Sequence, residues 1–115
     1  MFNKVFLIGR LVKDPEARVT TSGISLTKFT IAIDRSGKRE NTITDFINIT
    51  TWRRLAEIAG QYLKKGKLIA IEGRLQIETY EKNGQQREWV EVIADNFQML
   101  DKISDETRTS EEVMN

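Results

Sequence analysis

The sequence predicts an all-β domain: a small barrel of five strands, with one helix between the third and the fourth. Three observations point there. Five segments carry either the alternation or the unbroken apolar run of strands, and only Arg53–Lys65 has the spacing of an amphipathic helix. Asn83-Gly84, between two long strand-like segments, is the strongest short-range hairpin signal. The 115 residues are the length of one domain and suffice to bury a core without help. Element order alone also allows an α+β sandwich.

The elements follow in order. Asn3–Val12 (NKVFLIGRLV) is apolar at both parities, as expected of a strand buried on both faces or heavily paired. Asp14-Pro15 marks a turn and Thr21-Ser22-Gly23 a second. Ile24–Asp34 alternates, with Phe29, Ile31 and Ile33 on one face and Lys28 and Thr30 on the other. Arg35–Asn41 is a polar loop around Gly37 with the basic residues Arg35, Lys38 and Arg39. Thr42–Trp52 is the third strand. In Arg53–Lys65, Leu55, Ile58, Ala59, Tyr62 and Leu63 share a helix face, Lys64-Lys65 suit its last turn, and Gly66 is a stop. Lys67–Tyr80 and Gln85–Leu100 are long strands whose hairpin is expected to project beyond the sheet. The expected organisation is a domain over residues 1–100 and a short acidic tail, 101–115, too polar and aperiodic to fold.

Composition limits the chemistry. With no cysteine and no histidine, disulfides, thiolate nucleophiles, Cys- or His-ligated metals and the commonest general base are all excluded. No phosphate loop or metal-ligand cluster is legible, so an enzyme is not expected. No apolar run is long enough to span a membrane and no signal peptide is read at Met1–Arg10, so the expectation is an intracellular protein. Residues 1–100 hold 16 basic and 12 acidic side chains, and residues 101–115 hold two and five. That asymmetry fits a solvated surface with a frayed end, or a body that binds anions.

Strand parity then separates the aromatics. In the third strand Ile43, Ile47 and Ile49 share one face, and Phe46 and Trp52 lie on the other among Thr44, Asn48 and Thr50. In the fourth, Ile69, Ile71, Leu75 and Ile77 share a face, and Tyr80 lies opposite with Arg74. An aromatic on a polar face is also what a half-buried packing residue looks like. Three on two strands, with Arg53 and Arg54 directly after Trp52 and Arg35 leading toward Phe46, favour a binding surface. Arg10, Arg74 and Arg87 are strand positions able to line it. Bases of a single strand expose π-faces on which any aromatic ring can stack, and Lys and Arg neutralise the phosphates. The same pattern also suits a module whose aromatics form a protein interface. Stacking and phosphate contacts do not read the sugar, so RNA stays open as a ligand.

The sequence resembles the bacterial single-stranded DNA-binding proteins of the homotetrameric OB-fold type over residues 1 to about 100. The pieces that carry the resemblance are NKVFLIGRLVKDPEAR at Asn3–Arg18, KFTIAIDR at Lys28–Arg35, DFINITTWRRLAEIAGQYLKKG at Asp45–Gly66, IEGRLQIETYEKNGQQ at Ile71–Gln86 and EVIADNFQML at Glu91–Leu100. Each is weak alone; their order and spacing are specific.

The resemblance implies an OB-fold, a five-stranded Greek-key barrel, with a long projecting hairpin of strands four and five. It implies sequence-nonspecific binding and protection of single-stranded DNA in replication, repair and recombination, without catalysis or cofactor. Phe46, Trp52 and Tyr80 fall on the family's stacking positions. Lys4, Arg10, Arg35, Arg39, Arg53, Arg54, Arg74 and Arg87 are the expected phosphate contacts. The family's aromatic in the loop after strand two has no counterpart in RSGKREN, and Trp89 falls on no clear stacking position and is assigned to packing. The resemblance further implies a homotetramer, with a dimer contact near Asn3–Leu11, in the cytoplasm and associated with the nucleoid. Typical members end in an acidic tip closing on Pro-Phe that docks replication and repair enzymes. The ending SEEVMN lacks Pro-Phe, so recruitment through such a tip is not expected.

Overall fold

Six strands and one helix follow one another in the computed structural model, which describes residues 1–36 and 42–101. They are β1 (Val5–Leu11), β2 (Glu16–Val19), β3 (Ser25–Asp34), β4 (Thr44–Trp52), α1 (Arg53–Tyr62), β5 (Leu68–Lys82) and β6 (Gln85–Met99). The sheet runs β1-β5-β6-β4-β3-β2, and a further β1–β3 pairing closes five of its strands into a barrel. Among the described residues only β4 and β6 run parallel, with Ile49 opposite Val92 and Thr50 opposite Ile93. Closure decides for the barrel against the α+β sandwich. The five barrel strands are those expected from the sequence.

The sixth strand, β2, is a correction. It is four residues long, exposed throughout, and pairs only with β3, from Glu16 opposite Lys28 to Val19 opposite Ser25. The turn that joins them places Gly23 at φ +86°, with its N–H donating to the Thr20 carbonyl. Ala17 and Val19 do alternate with Glu16 and Arg18, but four exposed residues are too few for a period to be read.

Inward side chains from every barrel strand meet in one core, including Leu11, Ile31, Ile49, Ile69 and Val92. On β1 only one parity is inward. Leu7, Gly9 and Leu11 face the core side, while Phe6 and Ile8 are exposed, so of the two expectations for this segment it is heavy pairing, with β5 and β3, that holds in the single chain. The helix lies across β3 and closes the barrel with Ala59 and Leu63. A buried hydroxyl ties it down: Thr27 donates to the Ala56 carbonyl (2.7 Å), while Thr51 on β4 donates to the Thr27 carbonyl (2.8 Å) and braces the strand beneath. The helix stops at Tyr62 rather than Lys65, because Leu63 turns into the core with an extended backbone. Lys65 N–H then donates to Asp14 Oδ1 and Gly66 N–H to the Leu11 carbonyl, which pins the connection to the end of β1. Ala56 is buried where the sequence suggested Tyr62, which is exposed.

Two features release the hairpin from the barrel. A bulge between Glu72 and Gly73 skips Asp95 on the partner strand: Glu72 pairs with Asn96, and Gly73 with Ala94. A Cβ on Gly73 would collide with the Ile93 carbonyl oxygen, so only glycine fits there. Past the bulge β5 and β6 stay paired to Lys82 opposite Gln85, and Asn83 and Gly84 both have positive φ at the tip, as the Asn-Gly signal predicts. Asp101, which the sequence placed at the head of the tail, is bound to the barrel: it accepts from Leu68 N–H (2.8 Å) and pairs with Arg10 (3.1 Å).

Candidate nucleic-acid interface

The outward parity of β4 carries Phe46, Asn48, Thr50 and Trp52, and register extends this row across the sheet. Phe46 lies opposite Ala32, Asn48 opposite Thr30, Thr50 opposite Lys28, and Trp52 opposite Leu26. β2 adds Glu16 beside Lys28 and Arg18 beside Leu26. On the hairpin the outward pairs are Arg74–Ile93, Gln76–Glu91, Glu78–Trp89 and Tyr80–Arg87. The two surfaces meet in a groove lined by Lys28, Thr50, Trp52, Gln76, Glu91 and Ile93. The groove continues past Thr30, Asn48 and Trp89.

Aromatic rings stud this surface and are open to solvent. Phe46 is 66% exposed, Trp52 41%, Tyr80 45% and Trp89 41%. The first three are those that strand parity picked out. Trp89, assigned to packing from sequence, is instead exposed in the groove. The floor between the rings is polar: Thr30 Oγ1 donates to Asn48 Oδ1 (3.1 Å), and Trp89 Nε1–H donates to Glu91 Oε2 (2.7 Å).

The predicted basic contacts divide into three sets. Arg74 and Arg87 stand on the hairpin's outward face; Arg74 donates to Gln76 Oε1, and Arg87 makes no ion pair among the described residues. Arg53 and Arg54 are exposed beside Trp52 at the start of α1. Arg53 has φ +59°, a left-handed conformation that turns the chain sharply from strand into helix. Arg54 is within 3.4 Å of Glu57.

Lys4, Arg10 and Arg35 are engaged elsewhere. Lys4 lies 3.0 Å from Glu72 and 3.8 Å from Asp95, and hydrogen bonding to Glu72 raises its pKa. Arg10 donates to the Gly66 carbonyl and to Asp101. Arg35 makes two 3.0 Å contacts to Asp45, a bidentate fork that holds the carboxylate below its ordinary range, chiefly by hydrogen bonding. Arg39 lies outside the described residues.

Two cations that sequence reasoning left out belong to the groove. Lys28 makes no ion pair among the described residues and faces Thr50; Arg18 pairs with Glu16 at 2.8 Å at the groove edge. The alternation of Lys28 with Phe29 already showed that Lys28 is outward. What was missing was the register that sets it beside Thr50. Among the described residues no group of three or more acidic side chains is placed to hold a metal, and no helix is long and apolar enough to cross a membrane.

A model of the single-strand binding protein family matches residues 2–100 of the chain. The chain is 48% identical over 107 residues to the single-stranded DNA-binding protein of Caldanaerobacter subterraneus subsp. tengcongensis, covering 88% of this chain and 69% of that protein. It is 45% identical over 113 residues to single-stranded DNA-binding protein 1 of Streptococcus pyogenes, covering 96% and 87%. It is 48% identical over 107 residues to single-stranded DNA-binding protein A of Bacillus subtilis, covering 88% and 60%. The crystal structure of a deletion mutant of the single-stranded DNA binding protein from Thermus aquaticus superposes with a TM-score of 0.76 at 32% identity. That match covers 87% of this chain and about half (51%) of the crystallised one.

Proposed function

The chain belongs to the single-strand binding protein family, and we propose that it binds single-stranded DNA by stacking bases on Phe46, Trp52 and Tyr80 and by neutralising phosphates with the surrounding arginines and lysines. The observation that carries this reading is the exposure of three rings, distant in sequence, on one outward surface of β4 and the hairpin. Base stacking contributes about 1–3 kcal/mol per base whatever the base, which accounts for indifference to sequence. A duplex hides its base faces, so the same rings discriminate against it. Binding of this kind makes and breaks no covalent bond. Arg53, Arg54, Arg74, Arg87 and Lys28 are the phosphate contacts in this account, with Arg35 available once Asp45 releases it. Coating exposed single strands serves replication, repair and recombination, and puts the protein's work in the cytoplasm at the nucleoid.

Self-association into a tetramer is part of the reading. Two separate apolar patches are left open: Phe6 and Ile8 on the outside of β1, and Leu75, Ile77 and Val90 on the hairpin face opposite Tyr80. Two self-complementary patches on different faces generate two kinds of two-fold contact, and hence a dimer of dimers. Both leave the aromatic groove free.

The test is a titration of fluorescently labelled oligo-dT, followed by anisotropy at several salt concentrations, with a duplex of equal length as control. Tight, salt-sensitive binding of the single strand alone is expected. No binding at low salt would refute the reading and turn attention to a protein ligand.

A further inference from the structure

We propose that Trp89 is a fourth base-stacking platform, seated in the groove between Phe46 and Trp52. The inference rests on the reading of the groove as the seat of single-stranded DNA and extends it to a residue outside the three rings already assigned. Phe46 and Trp52 are six residues apart on β4, about 20 Å at roughly 3.3 Å per residue. That is several times the approximately 3.4 Å step of a stacked strand. Between them β4 offers only Asn48 and Thr50 outward, neither of which has a ring. Trp89 lines the groove beside these two residues, with Lys28 and Thr30 across from it.

Placement on the hairpin agrees. Trp89 pairs with Glu78, one outward pair from Tyr80–Arg87 and on the same face. This face is opposite Leu75, Ile77 and Val90, so assembly through those side chains does not cover the indole. The single N–H of the indole is already given to Glu91, which is itself 6% exposed. What the ring has left to offer a ligand is its π-surface. Lys28, without an ion pair among the described residues, stands near enough along the groove to take the phosphate of a base stacked there.

The chain has two tryptophans, so Trp52→Phe keeps a ring at that position and leaves Trp89 as the only indole. Titrating this variant with labelled oligo-dT, with indole emission and label anisotropy read together, should show quenching in step with binding. Trp89→Ala in the otherwise unchanged chain should weaken binding about 5- to 150-fold, Trp89→Phe should recover most of that, and Trp89→Leu should not. Far-UV circular dichroism checks that each variant is folded. Binding without quenching in Trp52→Phe, or unchanged affinity in a folded Trp89→Ala, overturns the inference. A wild-type anisotropy that never moves is a different failure, because it removes the DNA reading itself.

Discussion

Truncating Phe46 should separate binding from stability. The side chain is 66% exposed, so only about a third of it is packed. A phenylalanine that buries roughly 150–250 Å² when fully enclosed therefore covers about 50–80 Å² here, or some 1–2 kcal/mol at about 25 cal/mol per Å². Alanine keeps part of that contact, so Phe46→Ala should lose about 1 kcal/mol of stability, a fall of roughly 4–8 °C in Tm. If bases stack on the ring, the same change costs about 1–3 kcal/mol of binding, or roughly 5- to 150-fold in Kd. Ile31, 0% exposed in the core, supplies the opposite case. Ile31→Ala should lose about 2–5 kcal/mol of stability while the folded fraction binds normally. Oligo-dT anisotropy and urea melts on the same preparations read both quantities. Phe46→Leu decides between ring and bulk, since it keeps apolar area and removes the π-face. Wild-type affinity in Phe46→Leu, or in Phe46→Ala, would refute stacking at this position.

Four other outcomes follow from the same geometry. Asp45→Asn should free the Arg35 guanidinium and steepen the salt dependence of binding by about 0.7 in the log–log slope, one added phosphate contact, whereas an unchanged slope would mean that Arg35 does not reach the strand. The same pair sets a pH signature: Arg35 lowers the Asp45 pKa, so its small contribution to stability is complete above the ordinary carboxylate range and lost as pH falls through the depressed value, and the acid limb in urea midpoints should be shallower in Asp45→Asn than in wild type, with the Glu16–Arg18 pair supplying what remains. Gly73→Ala should destabilise the fold by about 1–3 kcal/mol, because its Cβ meets the Ile93 carbonyl oxygen, and the urea midpoint reads this directly. Ile77→Arg should weaken self-association in sedimentation velocity while the subunit stays folded, since the side chain is 53% exposed; an unaltered tetramer would place the contact elsewhere.

Much of this architecture was legible in local signals. Five barrel strands, the helix after Trp52 and the Asn83-Gly84 tip follow from periodicity and turn chemistry, which are properties of a few adjacent residues. Parity likewise exposed Phe46, Trp52 and Tyr80, because β4 and β5 alternate without interruption along those stretches. What stayed hidden depends on contacts between distant residues. β2 exists only because β3 offers it an edge. The engagement of Lys4 by Glu72, of Arg10 by Asp101 and of Arg35 by Asp45 requires register, and no count of basic residues shows which of them are already paired.

Trp89 shows how one residue reverses such a reading. Counted back from Phe97, which packs toward the core, uninterrupted alternation along β6 puts Trp89 on the core side with the other odd positions. The bulge leaves Asp95 without a partner, and beyond it the even residues Ala94 and Val92 turn inward, opposite Gly73 and Leu75. Every odd position from Ile93 back to Arg87 is thereby moved to the outward face. The same unpaired residue lets β5 and β6 bend out of the barrel as a projecting arm. Past the barrel, the arm's core-side parity has no core left to face, which leaves Leu75, Ile77 and Val90 exposed. Its outward parity carries Tyr80, Arg87 and Trp89 beside β4. On the proposed reading the bulge therefore gives one face of the arm to assembly and the other to bases, and removing its one extra residue would exchange the two along β6.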